Sequence, residues 1–357
     1  MTTQNMVATI DIYTGRNTGE QLFNNPWCER SCSSAFRFFQ THFLSFKMSI
    51  PVVDFGAYSL SKEDVTDEQM RNLSKELKTA FTEVGFVFLE NTGITQEEVD
   101  RVMDISKRFF LQPDEVKQPF SRKSFANSPN HGWVSLETER LNPRRPGDLK
   151  EAFNTASLDP DIKWPSGALT GFQEIHTSFF LRCKELSLRV LRVVAHSLGL
   201  DPEVFLGAHR FIGTDQNGTT LRSLYYPPVN SEKVKEGQLR CGEHSDYGSI
   251  TLLFQSSEGL QVRRRSGEFI CAPRIPGMVL INIADLLQRW TSDQLVSVLH
   301  RVLLPPAGDS GTRQSMAFFV QPDDDALITC CDGSNKYPPV TAGAYLTERF
   351  NDSYGKN

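Results

Sequence analysis

Two histidines and an aspartate carry the spacing that metal chemistry would use. In GEHSDYGSITLLFQ, residues 242–255, His244 and Asp246 stand two apart. On an extended strand end, both side chains leave the same side. A nitrogen and a carboxylate at that gap can chelate one divalent metal; taken alone, the pair fits a surface turn equally well. His300 lies in VSVLHRVLLPP, at the expected centre of an apolar strand, where it could also be a satisfied core histidine. Further on, Arg313 and Ser315 open the apolar run RQSMAFFVQ. An arginine at the start of a buried strand needs an anion. A guanidinium fork beside a hydroxyl on the same strand face suits a carboxylate. Together His244, Asp246 and His300 make a two-histidine, one-carboxylate facial triad. Three ligands on one face of an octahedron leave three open positions, the pattern of a non-haem Fe(II) centre that activates O₂. A closed four-ligand zinc site would leave no such room.

Strand parity adds a second ring of candidates. Tyr247 directly follows Asp246 and either stands near the metal or packs at the strand end. Phe319 shares parity with Arg313 and Ser315, so it faces inward, as pocket wall or as plain core. Arg222 shares parity with Tyr226. Turned inward, Arg222 needs an anion, a polar substrate edge, or a structural partner such as Glu151. Arg222, Tyr247 and Phe319 together could hold a flat, polar ring. The remaining histidines stand outside the ligand pattern: His196 reads as core or helix flank, and His131 sits in a loop that can border the pocket. The run Arg263-Arg264-Arg265 before Ser266-Gly267 reads as a solvated hairpin tip.

These residues need a scaffold, and the rest of the chain has its texture. Ile50 to Phe55 reads as a short strand. An amphipathic helix over 66–84 places Met70, Leu73, Leu77, Phe81 and Val84 on one face. Gly85 ends it before an apolar strand, 86–90. Thr95 and Glu98 predict a capping box for a helix that stops before Pro113. Residues 118–170 are rich in Pro, Asn, Gly and Arg and predict loops with short strands, EAFN at 151–154 among them. A long helix over 171–198 buries Phe172, Ile175, Phe179, Cys183, Leu186, Val190 and Val193, with Gly199 as its cap. From Thr220 to Val320 short strands alternate with turns. A helical front and a β-rich back predict one α+β domain around a barrel or jelly roll.

Composition sets the outer bounds. The 357 residues include 25 Phe, 8 Tyr and 4 Trp, ample core material that excludes a disordered chain. A net charge of −5 argues against a general nucleic-acid binder. No apolar run approaches the length that spans a bilayer. Seven scattered cysteines include only one close pair, Cys28 and Cys32, with nothing to complete a zinc site. They read as free thiols in a reducing compartment, the cytoplasm. The first 47 residues differ in texture. They read as a disordered extension or an upstream-start artefact, with a targeting segment or a docked arm as alternatives.

The order of these motifs resembles the 2-oxoglutarate and Fe(II)-dependent oxygenases of the isopenicillin N synthase-like group. IPVVDF, VGFVFLENTGI, LRSLYYPPV, GEHSDYGSITLLFQ, GLQV and the end YPPVTAGAYLTERF are all similar, so the likeness runs from about Ile50 to Phe350. It implies a double-stranded β-helix, a jelly roll backed by the long helix, with residues 48–170 and 171–350 forming one structural unit. His244, Asp246 and His300 would bind iron. Arg313 and Ser315 would hold the far carboxylate of 2-oxoglutarate, and Tyr226 would add a hydroxyl to it. The family often has Asn two residues before that Tyr, where this chain has Leu224. The resemblance implies oxidation of a small molecule, coupled to decarboxylation of 2-oxoglutarate to succinate, with Fe(II), O₂ and ascorbate as reductant. It implies no nucleic-acid, membrane or protein partner. Two other readings stand beside it: an oxidase of the same fold that ignores 2-oxoglutarate, since relatives of that kind also carry R-x-S, and a ligand-binding relative without turnover.

Overall fold

The computed structural model describes residues 50–354 apart from 126, 127, 129, 143, 160, 230–233 and 307–310. The first 47 residues, with Cys28 and Cys32, lie outside the described residues. The chain opens with β1 (Val52–Asp54), helix α1 (Asp67–Glu83), β2 (Phe86–Glu90) and helix α2 (Gln96–Phe110). Both helices begin with a reciprocal capping box. In α2, the Thr95 hydroxyl accepts from the Glu98 amide at 3.2 Å, and the Glu98 carboxylate accepts from the Thr95 amide at 2.7 Å. Thr66 and Gln69 do the same for α1. Two short strands follow, β3 (Gly132–Val134) and β4 (Glu151–Thr155), and then the long helix α3 (Phe172–Ser197). Gly199, at φ +69°, turns the chain out of that helix in the left-handed region, which costs glycine little.

The remaining strands build the core: β5 (Thr220–Tyr226), β6 (Cys241–His244), β7 (Ile250–Gln255), β8 (Leu260–Arg263), β9 (Phe269–Cys271), β10 (Val279–Ile283), β11 (His300–Val302) and β12 (Arg313–Val320). They form two sheets. The larger runs β1-β2-β10-β7-β12-β5-β4-β3, and the smaller β6-β11-β8-β9. Strands from the first half of the chain therefore flank both sides of the larger sheet. β2 pairs with β10, and β4 pairs with β5.

Alternation on the central strands sorts the sheet into two faces. Met316, Phe318 and Val320 of β12, with Leu252 and Phe254 of β7, join the cluster that α3 covers. Phe180 of α3 meets Phe318 edge-on at 4.9 Å, and Phe179 meets Phe254 at 5.1 Å. The opposite parity (Arg313, Ser315, Ala317 and Phe319) faces a cavity between the sheets. The chain is thus a mixed α+β fold in which α3 covers one face of the central strands and the cavity lies on the other. Helix α4 (Ala342–Tyr354) closes the described chain. Among the described residues no helix is long and apolar enough to cross a membrane.

Candidate active site

His244 is the last residue of β6 and His300 the first of β11, so His300 starts its strand rather than standing at the centre. The two are register partners across the smaller sheet, with ring centroids 4.3 Å apart. Asp246 reaches the same point from the turn after β6. Its Oδ1 lies 3.8 Å from His244 Nε2 and 3.6 Å from His300 Nε2. One ligand atom from each of the three falls within 4.8 Å of the others.

Outer contacts orient all three. His244 Nδ1 lies 2.8 Å from the Gly242 carbonyl, and His300 Nδ1 lies 3.2 Å from that of Val298. A carbonyl only accepts, so each Nδ1 carries the proton and each Nε2 offers its lone pair inward. The other oxygen of Asp246 accepts from Thr251 Oγ1 at 2.6 Å and from Asn282 Nδ2 at 2.8 Å. Burial and the neighbouring His244 push His300 down to about 4, so it is neutral near pH 7. Burial would raise the Asp246 carboxyl, but the two imidazoles, Thr251 and Asn282 outweigh it and hold it below the usual value. Two imidazoles and one carboxylate, each aimed by its second contact, fit a divalent metal with open positions.

Arg313 stands opposite Tyr226 in the β12–β5 register, with its guanidinium 4.9 Å from the ring centroid. It is fully buried. It donates to Ser315 Oγ at 3.2 Å, Gln255 Oε1 at 2.8 Å and the Glu258 carbonyl at 3.1 Å. All of these are neutral oxygens, and among the described residues no carboxylate forms an ion pair with it. A buried cation so placed is the natural seat of an incoming anion. Burial raises the Tyr226 hydroxyl above its ordinary value, so it stays protonated and able to donate. Leu224 also lines this cavity, on the same inward face of β5.

The cavity holds about 130 Å³. Arg222, Tyr247 and Phe319 all line it. Arg222 does carry a structural ion pair, but its partner is Glu139, not Glu151. Glu151 is taken by Lys117 at 2.7 Å and by the Trp133 indole at 2.8 Å. Behind Arg222 lies a charged cluster that motif reading missed. Buried Lys150 pairs with Asp148 at 2.5 Å and stands 3.7 Å from Glu139. Burial works against its charge, but Cys241, Asp148 and Glu139 prevail and raise its pKa. Tyr247 is capped by α4, with Phe350 at 6.0 Å and the Arg349 guanidinium at 4.9 Å.

His131 does not border the cavity. It is buried among aromatic rings, 4.9 Å from Trp164 and 5.1 Å from Phe125. His196 is exposed on α3, and the three arginines sit at the β8–β9 turn, where Arg264 pairs with Glu268 at 3.9 Å. Thr251 and Asn282 were also missed. Their signal was present, since each is a polar residue inside an otherwise apolar strand, ITLLFQ and VLINI.

Three residues that could hold one metal ion and a buried arginine line the same cavity, the composition expected of a metal-dependent enzyme site. Comparison with known proteins gives the class its family. Residues 50–171 match the profile of the non-haem dioxygenase N-terminal domain, and residues 217–322 match that of the 2OG-Fe(II) oxygenase superfamily. The 2-oxoglutarate-dependent dioxygenase htyE of Aspergillus rugulosus is 31% identical, covering 79% of this chain and 90% of its own. The proline hydroxylase buaE of Petromyces alliaceus is 31% identical over 78% and 93% of the two chains. Among solved structures, Neurospora crassa thymine 7-hydroxylase with α-KG and thymine superposes with a TM-score of 0.72. It is 32% identical and covers 85% of this chain and 96% of its own. The chain belongs to the 2-oxoglutarate/Fe(II)-dependent oxygenases of the isopenicillin N synthase-like group. It is an oxidoreductase whose cofactor and co-substrate are Fe(II) and 2-oxoglutarate, and its substrate is a small molecule. The 2-oxoglutarate-independent oxidase and the ligand-binding relative give way to this reading.

Proposed function

We propose that His244, Asp246 and His300 hold the iron, that Arg313, Ser315 and Tyr226 hold the far carboxylate of 2-oxoglutarate, and that Arg222, Tyr247 and Phe319 face the substrate. Bound there, iron supplies the activation of O₂ that couples loss of CO₂ from 2-oxoglutarate to oxidation of the substrate. The chain's own residues position the parts. Gly242 and Val298 fix the imidazole tautomers, Thr251 and Asn282 fix the carboxylate, and Arg313 sets the depth of the co-substrate. The fold we assign is a double-stranded β-helix backed by α3, with residues 48–170 and 171–350 as one structural unit. The five described cysteines are free thiols, which fits a reducing, cytoplasmic setting.

The observation that carries the substrate reading is the pairing of Arg222 with two aromatic rings, Tyr247 and Phe319, on the same cavity. A flat, polar, uncharged ring fits that set. A pyrimidine base, as in the thymine complex of the Neurospora relative, is the specific candidate. Succinate release from Fe(II)-loaded protein with 2-oxoglutarate and O₂ tests it. Thymine or uracil should stimulate release several-fold over protein alone, and His244→Ala should abolish it. Release unaffected by either base would overturn the pyrimidine assignment, and turnover surviving His244→Ala would overturn the iron assignment.

A further inference from the structure

The cavity wall holds an amide whose orientation is dictated from a distance. Asn154 on β4 is fully buried and lines the cavity beside Arg222, its register partner on β5. Among the described residues its Oδ1 has no hydrogen-bond partner. A buried acceptor left without a donor is costly, so it calls for an explanation.

The sense of that amide follows from a relay. The Gly218 carbonyl can only accept, so the Thr220 hydroxyl donates to it at 3.1 Å. Thr220 Oγ1 is then left as an acceptor, and Asn130 Nδ2 donates to it at 2.9 Å. Asn130 therefore turns Oδ1 toward Asn154, whose Nδ2 donates to it at 3.2 Å. Asn154 Oδ1 is the end of the chain, and it is held as an acceptor. Reversing it would set two carbonyl oxygens or two amide groups face to face. The neighbouring charge, on Arg222, is already met by Glu139. This stretch of wall therefore asks for a hydrogen-bond donor, not a counter-ion.

We infer that Asn154 is a specificity-determining residue: its Oδ1 accepts a hydrogen bond from an N–H of an uncharged ring substrate, and the Asn130–Thr220–Gly218 relay keeps it in that sense. The inference rests on the cavity being the substrate site, but not on the substrate being a pyrimidine. A site built to meet an N–H rejects the analogue lacking it far more strongly than a site that only packs around it.

The test is equilibrium binding without O₂ to Fe(II)- and 2-oxoglutarate-loaded protein, using matched N–H and N-methyl pairs. The pairs are thymine, uracil, hydantoin and δ-valerolactam, each with its N-methyl forms. At least one N–H compound should bind tenfold or more tighter than its N-methyl counterpart. Asn154→Leu should erase that preference while 2-oxoglutarate affinity, read separately, stays within about twofold. Thr220→Val keeps Asn154 but cuts the relay, and should weaken the preference in the same direction even if the leucine variant fails to fold. A preference that survives both variants overturns the inference, as does failure of every N–H compound to bind protein that still binds 2-oxoglutarate. Failure of the pyrimidines alone, with hydantoin or the lactam succeeding, overturns the pyrimidine assignment and leaves Asn154 supported.

Discussion

Arg313 is the residue at which the co-substrate assignment is most exposed to test. Its guanidinium is buried against Tyr226 and held by Ser315, Gln255 and backbone carbonyls. Leucine removes the guanidinium donors and the positive charge, leaving only the Ser315 and Tyr226 hydroxyls for a carboxylate. Losing one partner of a buried charge pair costs roughly 3–5 kcal/mol, which converts to at least a hundredfold rise in the 2-oxoglutarate concentration needed. Titrating the co-substrate in the succinate assay reads this directly; an unchanged requirement would move the carboxylate site elsewhere. At this scale the sequence was informative wherever a residue acts by type and short spacing. Arg313-x-Ser315 lies within one strand, so its shared direction could be read without a fold, and the short His244-x-Asp246 gap kept those two close although Asp246 stands in the turn after β6. Glu139, Lys150 and Asn154 could not be found that way. Lys150 and Asn154 line the cavity from a loop and a strand far from the motifs, Glu139 stands behind them as the partner of Arg222, and only the β4–β5 register brings Asn154 beside Arg222.

At the scale of elements, the polar residues buried between helices and sheets govern the response to acid. His176 on α3 is wedged between Ser106 of α2, at 3.1 Å, and Ser223 of β5, at 3.3 Å. His209 holds Ser249 at 2.9 Å, and His131 sits in the aromatic cluster. Burial lowers all three to about 4, with His176 adding to the effect on His131. Protonation thus favours the unfolded chain, where histidine titrates near 6.5. Their contribution is fully present above pH 6.5 and is lost as pH falls from there toward 4, by roughly 3 kcal/mol for each group at the limit. Urea midpoints measured from pH 7 to pH 5 should fall steadily, and His176→Asn should flatten the slope by up to one proton. An unchanged slope would mean that His176 is not held neutral. The elements themselves were legible because helices announce their ends. Thr95 with Glu98, and Gly199 after the apolar stripe, marked boundaries that the structure keeps within a residue or two. Strand ends carried less information: His300 looked central because apolar residues flank it on both sides, yet pairing starts only at His300 itself.

At the scale of the whole molecule, strands of the front half pair with strands of the back half, which is the ground for proposing one folding unit. β2 seals one side of the central strands at β10, and β4 seals the other at β5. A fragment of residues 171–350 would expose both as unpaired edges, which invite aggregation. It should be insoluble or fail to unfold cooperatively, whereas the full chain should melt in a single transition; a soluble, cooperative fragment would restore a two-domain description. The helix α4 has a different kind of consequence. Phe350 and Arg349 close over Tyr247, and Arg349 also pairs with Asp285 at 2.8 Å. The triad and the arginine seat are therefore translated well before the helix that completes the cavity wall. A chain ending soon after Val320 would carry His244, Asp246, His300 and Arg313 without the helix that closes over Tyr247, so the last stretch of the chain to be made is the one that completes the cavity wall.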